Sequence, residues 1–164
     1  MQILQHIPVW VFALLLGLIA MGLLQTRTRH IRKQRLLGIN IALMVFTLVG
    51  VTQQWQPTPW LWLGLSSWTV SCLLVTAALG QGPAPTGAHY DADTRRFSVP
   101  GSWLPLGLFM AIFACKFAVG MTTALAPELL NSLSAAIGIS AVYGLFSGLL
   151  NARAWRVLKL AHAA

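Results

Sequence analysis

Residues 103–125 of the chain read WLPLGLFMAIFACKFAVGMTTAL, an apolar stretch that contains a single charged side chain, Lys116. The hydrocarbon core of a bilayer is about 30 Å thick, and a helix needs roughly 20 apolar residues to cross it. The stretch is long enough for that, and it shows none of the alternation of polar and apolar residues that barrel strands have. It therefore predicts a membrane-spanning helix, because a helix satisfies its own backbone hydrogen bonds in lipid.

Four further apolar stretches of the same kind occur in the chain, so the predicted spans are residues 7–24, 36–53, 60–80, 103–125 and 133–152. Of the 164 residues, 57% are hydrophobic and 9% are charged, whereas soluble domains have roughly 45–50% and about 25%. This composition excludes a soluble globule, a disordered segment and a disulfide-rich module. We predict an all-α polytopic membrane protein: a bundle of five transmembrane helices in a single integral membrane domain over residues 1–164.

The distribution of positive charge predicts the orientation of this bundle. Of the 11 Lys and Arg residues, five fall between spans one and two, two between spans three and four, and three after span five. Cytoplasmic loops carry the excess of Lys and Arg, so we expect the N-terminus outside and the C-terminus in the cytoplasm. No Lys or Arg precedes the first span, and five follow it, which favours a retained anchor over a cleaved signal peptide. The expected location is the inner membrane, with anionic lipids at its cytoplasmic face as contacts, and no nucleic acid.

The longest loop, residues 81–101, joins spans three and four on the predicted cytoplasmic side. Its first part is rich in Gly and Pro and predicts a linker. Its second part, residues 89–99, predicts two short strands around a turn that Asp91 stabilises through its own following backbone. We interpret Asp91 and Asp93 as turn residues rather than metal ligands.

The string YDADTRRFSVPGSWLPL at 90–106, continued by FACKFAVG at 113–120, resembles a family of small uncharacterised bacterial multi-pass inner-membrane proteins. The early span, its basic loop and the small residues of span five are also similar, so the resemblance covers most of the chain. It implies a bacterial multi-pass membrane protein. It implies no activity, because that family has none to carry over.

Lys116 is the first candidate for a functional role. A charged Lys in the middle of a span costs about 2.5–3.5 kcal/mol on insertion scales, and such residues usually face the bundle interior. No span contains an Asp or Glu, so the candidate partners are neutral groups at matching depth in spans three and five. We predict a polar pocket around Lys116 that is lined by Ser67, Trp68, Ser140 and Tyr143. In this pocket Tyr143 is expected to accept a hydrogen bond from the ammonium, and Trp68 to offer a cation–π face. The alternative is a tolerated Lys whose ammonium reaches toward the interface.

Small residues recur every four positions in span five and include Gly144 and Gly148. This spacing lets helices approach closely, and it favours internal packing, with homodimerisation as the alternative. Asn40 and Thr47 are isolated polar residues in span two, and each is expected to hydrogen-bond a neighbouring helix.

Two classes of function stay open. The first is a non-enzymatic membrane protein: a small transporter, a lipid-handling protein or an accessory subunit with a homo-oligomeric or membrane-protein partner. The second is a membrane-embedded enzyme that uses Lys116, or a thiol-redox protein that uses Cys72 and Cys115. The sequence contains no evident catalytic motif. It indicates no cofactor and no metal, because the four His residues lie outside the spans and lack ligand spacing.

Overall fold

The computed structural model of the chain describes residues 9–24, 26–56, 58–91, 94 and 96–162. The helices are α1 (Val9–Leu24), α2 (Lys33–Trp55), α3 (Leu61–Gly80), α4 (Leu104–Leu125) and α5 (Leu133–Lys159). The strands are β1 (Arg29–Arg32), β2 (His89–Asp91) and β3 (Arg96–Val99), and two 3-10 turns cover Pro127–Leu129 and Leu160–His162. Helices dominate the described chain, as the sequence predicts.

Four helices, α2 to α5, are long and apolar enough to cross a membrane. The described part of the first predicted span is α1, which has 16 residues, and a crossing usually needs at least about 17. The remainder of that span, residues 7 and 8, lies outside the described residues, as does the segment before it. The structure thus confirms a helical protein with four candidate spans, and the fifth span stays a prediction.

Large apolar side chains cover the outer surface of these helices. Leu16, Leu74 and Leu125 are 66%, 65% and 67% exposed, and many similar side chains point outward beside them. Soluble monomers rarely expose apolar patches of this extent. Hydrocarbon solvates such side chains without penalty, so the surface suits a bilayer rather than water.

Helix α3 runs parallel to α5 and contacts it along most of its length. Hydroxyl groups of α3 donate to carbonyl oxygens of α5 at three levels: Ser67 to Ile137 at 2.8 Å, Ser71 to Ala141 at 2.8 Å and Thr76 to Gly148 at 3.4 Å. The residue numbers of the bonded partners increase in the same direction along both helices, so α3 and α5 are parallel. These bonds satisfy polar side chains that would otherwise lie unpaired in lipid.

Two glycines of α5 allow this close approach. A Cβ on Gly148 would lie 2.7 Å from Val75 Cβ, and a Cβ on Gly144 would lie 2.9 Å from Ser71 Cβ and collide with the Trp68 carbonyl oxygen. The small-residue spacing of span five therefore lies at an internal contact in the structure, on the face that meets α3.

The strands form one antiparallel sheet in the order β1-β3-β2. The predicted hairpin of residues 89–99 is present as β2 and β3, with His89 opposite Ser98, and Thr94 donates to Asp91 Oδ2 at 2.6 Å in its turn. The sequence predicts no strand between spans one and two, whereas the structure forms β1 there, with Arg29 opposite Val99. The Arg-His-Ile-Arg sequence of β1 has no strand pattern of its own, so pairing with β3 determines its conformation.

The sheet brings three separate parts of the chain to one end of the bundle. β1 joins α1 to α2, β2 and β3 lie between α3 and α4, and Phe97 of β3 is fully buried in a cluster with Val157 and Leu158 of α5. We call this the basic end, because β1, the first turn of α2, β3 and the last turns of α5 meet here and carry most of the Lys and Arg residues. Helix α2 begins at Lys33 rather than at the predicted residue 36, directly after β1.

Candidate functional site

Lys116 lies in the middle of α4, and its half-buried side chain points toward α2 and α5. Its Nζ atom is 4.7 Å from the centroid of the Tyr143 ring on α5 and 5.8 Å from that of the Phe46 ring on α2. Both distances are within the roughly 6 Å at which a cation is attracted to an aromatic face. The ammonium is therefore held inside the bundle by ring faces and does not extend into lipid.

Gly50 of α2 provides the space that the ammonium occupies. A Cβ built on Gly50 would collide with Lys116 Nζ, and the nearby Lys116 Cε would be 3.5 Å away. Every larger residue at position 50 would displace the Lys116 head group. The site is thus made by three helices: α4 carries the cation, α5 provides Tyr143, and α2 provides Phe46 and Gly50.

Polar groups above and below the ammonium are already paired with each other. On one side the hydroxyls of Thr47 and Ser147 are 3.0 Å apart, and Ser147 also donates to the Tyr143 carbonyl oxygen at 2.9 Å. On the other side Trp55 Nε1 donates to Ser140 Oγ at 2.9 Å. These pairs are steps of a ladder along the antiparallel α2 and α5, and Lys116 lies between two of them.

The next step of the ladder lies nearer the basic end. Asn40 Nδ2 donates to Asn151 Oδ1 at 2.7 Å, and Asn151 Nδ2 donates to Thr76 Oγ1 on α3 at 3.4 Å. The expectation that Asn40 and Thr47 bond a neighbouring helix is confirmed, and α5 is the partner in both cases.

The structure differs from the predicted pocket in which residues meet the ammonium. Tyr143 contacts it, but through the ring face rather than as the expected hydrogen-bond acceptor. Ser67 donates to the Ile137 carbonyl oxygen and Ser140 accepts from Trp55, so both are engaged elsewhere. Trp68, the expected cation–π partner, is buried with its Nε1 unpaired among the described residues; Tyr143 and Phe46 provide the aromatic faces instead.

Sequence reasoning missed Phe46 and Gly50 because it sought partners in spans three and five only. Depth counting can match Lys116 with any helix, and it does not say which helices are adjacent. The glycine inside span two was the available signal, since glycine lowers helix stability and small residues allow close approach between membrane helices.

The contacts offset only part of the cost of a charge at this depth. A cation–π contact contributes about 0.5–2 kcal/mol, more when it is desolvated, and the Phe46 ring lies near the distance limit. The cost of a charged Lys at the centre of a span is about 2.5–3.5 kcal/mol. Among the described residues no carboxylate and no hydrogen-bond acceptor contacts the ammonium, so the arrangement suits an added anion or polar ligand.

The two cysteines lie on different helices and are both free thiols. Cys72 is buried on α3, where its carbonyl oxygen would be 2.8 Å from a Cβ on Gly148 of α5. Cys115 of α4 packs against the apolar cluster that includes Val51 and Trp55. The thiol-redox hypothesis gains no support from this placement.

These features define a helical protein of membrane type with a half-buried cation between α2, α4 and α5 and a small sheet at one end. The chain belongs to a family of unknown function, DUF6622, whose model matches residues 1–164. This confirms the expected resemblance to an uncharacterised family over the whole chain; bacterial origin and an inner-membrane location stay predictions. No curated protein and no solved structure matches the chain.

Proposed function

We propose that the protein is a five-span protein of the bacterial inner membrane, with its N-terminus outside and its C-terminus in the cytoplasm. Two observations support this topology. Four helices have the length and composition of spans, and the loops with most of the Lys and Arg residues meet at the basic end. Basic loops are retained on the cytoplasmic side, so the basic end is the cytoplasmic one in this proposal.

We further propose that the protein is not an enzyme but a ligand-binding component of the membrane, which takes an anionic small molecule or lipid at Lys116. The supporting observation is the position of Nζ between Tyr143 and Phe46, with no acidic partner among the described residues. A bound anion would supply the missing charge and offset the remaining desolvation cost. Transport and lipid handling both require a site that binds the transported molecule or the lipid.

The direct test compares Lys116→Met with Lys33→Met, which makes the same chemical change at an exposed position on the basic end. Each full-length variant is extracted in mild detergent and examined by native mass spectrometry for co-purified anionic molecules. We expect wild type and Lys33→Met to carry the same bound molecule and Lys116→Met to lose it. Equal amounts on all three proteins would overturn the proposal.

A second pair of variants tests the site without removing the cation. Gly50→Ala places a methyl group where Nζ lies, whereas Gly38→Ala in the same helix meets open space. We expect Gly50→Ala to reduce the bound molecule as Lys116→Met does, and Gly38→Ala to leave it unchanged. If Gly50→Ala retains the molecule fully, the position of the ammonium beside α2 is irrelevant to binding.

A further inference from the structure

A cavity of about 110 Å³ lies at the basic end between α2, α4 and α5, beneath β1 and β3. A single water needs about 10–15 Å³ by the same kind of measure, so the space is large enough for a polar head group. Most of its lining is apolar and includes Leu43, Phe109 and Val157. The Lys116 site does not share these lining residues.

Two guanidinium groups and one amide interrupt this apolar lining: Arg27, Arg153 and Asn40. Arg153 is half-buried, and its Nη1 donates to Ser102 Oγ at 3.1 Å. An arginine has five N–H donors, and this is the single hydrogen bond from the Arg153 guanidinium within the described structure. Asn40 is held in place by its bond to Asn151.

The described part of the chain places no counter-charge in this cavity. None of the residues that line it is acidic. The described acidic residues are Asp91, in β2, and Glu128, which follows α4 at the end away from the sheet; Asp93 lies outside the described residues. Two guanidinium groups without a carboxylate among the described lining residues leave a place for an anion from outside the chain, and paired N–H groups of arginine match the geometry of phosphate oxygens.

The cavity opens toward the side of the bundle that a bilayer would cover. Ile39 of α2 lines it and is also 44% exposed on the outer surface. A molecule with its anionic group at Arg27 and Arg153 can therefore extend an apolar chain past Ile39 into the hydrocarbon. Basic pockets between membrane helices on the cytoplasmic side bind the head groups of anionic lipids in this way.

We propose that this cavity is a binding site for the phosphate group of an anionic phospholipid, held by Arg27 and Arg153, with its acyl chains outside the bundle beside Ile39. The proposal rests on the proposed membrane topology, in which the basic end lies at the cytoplasmic head-group layer. It does not depend on Lys116. Inorganic phosphate carries the same charged group but cannot use the apolar opening.

The test measures binding of phosphatidylglycerol, phosphatidylcholine and inorganic phosphate to the purified full-length protein, from the shift of its melting temperature in detergent. The variants are Arg153→Gln and, as a matched control, Arg35→Gln, which removes an exposed arginine that does not line the cavity. Arg27→Gln is a second site variant, because Arg27 is exposed and its loss leaves the packing intact.

We expect phosphatidylglycerol to stabilise wild type and Arg35→Gln alike, and phosphatidylcholine to do so far less. Charge-assisted hydrogen bonds contribute about 1.5–3 kcal/mol, so Arg153→Gln and Arg27→Gln should each weaken phosphatidylglycerol binding by roughly tenfold or more. Stabilisation by inorganic phosphate alone at similar concentrations would show a soluble phosphate as the ligand and overturn the lipid assignment.

Further outcomes of the same experiment test the lipid site. An equal loss in Arg35→Gln and the cavity variants would show that surface charge alone attracts the lipid, and the site would be refuted. If Arg153→Gln fails to fold, the Arg27→Gln result decides. Native mass spectrometry of Arg153→Gln and Arg27→Gln should still show the molecule that depends on Lys116, because Lys116 does not line the cavity; failure at this cavity and failure of the Lys116 proposal are then separate observations.

Discussion

Helix α5 has two contact faces, one against α3 and one against α2 and α4. The two faces differ in how the polar groups inside the bundle are paired. Against α3, glycines bring the backbones together, and hydroxyls of Ser67, Ser71 and Thr76 bond carbonyl oxygens. Against α2 and α4, an ammonium lies over ring faces without an acceptor among the described residues. The first face is satisfied within the chain and holds the bundle together. On the second face the polar side chains of α2 and α5 are paired as well, and the Lys116 ammonium is the group left without an acceptor among the described residues, which leaves a place for a ligand.

The largest expected effect is at the satisfied face. Gly144→Val would drive a side chain into the Trp68 carbonyl and Ser71, and overpacking of this kind typically costs about 1–3 kcal/mol. We expect a clear fall in the free energy of unfolding, measured by denaturant titration in detergent micelles. Gly138→Val is the control on the same helix, since nothing lies within 4 Å of a Cβ there. A similar fall in both variants would show that α3 and α5 do not pack as described.

The ladder between α2 and α5 should show a smaller coupling. A double-mutant cycle of Asn40→Leu and Asn151→Leu removes the 2.7 Å hydrogen bond, and such bonds between membrane helices contribute roughly 0.6–1.7 kcal/mol. The control cycle pairs Asn40→Leu with Ser66→Ala, because Ser66 bonds the Leu63 carbonyl of its own helix. We expect a coupling energy in the first cycle and none in the second. Coupling in the second cycle but not in the first would show that these hydrogen bonds do not join α2 to α5.

Substitution of Lys116 should not lower the free energy of unfolding, in contrast to Gly144→Val. Because ring contacts offset only part of the cost of the charge, Lys116→Met should leave the ligand-free protein as stable as wild type or more stable, by about 1 kcal/mol. The measurement is the free energy of unfolding after the bound molecule is removed by detergent exchange. A fall of more than about 1 kcal/mol in the free energy of unfolding would show that Lys116 stabilises the fold, as the contacts between α3 and α5 do.

The smallest expected effect is at the cysteines. Cys72 and Cys115 are separate free thiols, so maleimide labelling of the denatured protein should be identical after oxidising and reducing pretreatment of the folded one. A single-cysteine variant, Cys72→Ser, calibrates the label. Loss of both labels after oxidation would revive the thiol-redox hypothesis and extend the chemistry beyond the Lys116 region.

Local sequence predicted the helices well and their neighbours poorly, for a physical reason. Span length and hydropathy reflect transfer of each segment into lipid, which needs no partner, so α2 to α5 lie near their predicted positions. The strand β1 and the contact of Lys116 with Phe46 and Gly50 depend on which segments are adjacent. Lys116 could be identified as a candidate from the sequence, because the free-energy cost of a charge within a span depends on that residue alone. Its neighbours could not be identified, since several helices offer polar groups at the same depth.

The central claim is that Lys116 binds an anionic group inside the bundle. The most direct measurement is an experimental density map of the full-length protein in lipid nanodiscs, prepared without added ligands beyond native lipid. We expect density for a bound anionic group at Nζ, beside Tyr143 and Phe46, that disappears in Lys116→Met. A map in which the Lys116 side chain extends toward the membrane surface, with the space beside Gly50 empty, would contradict the account.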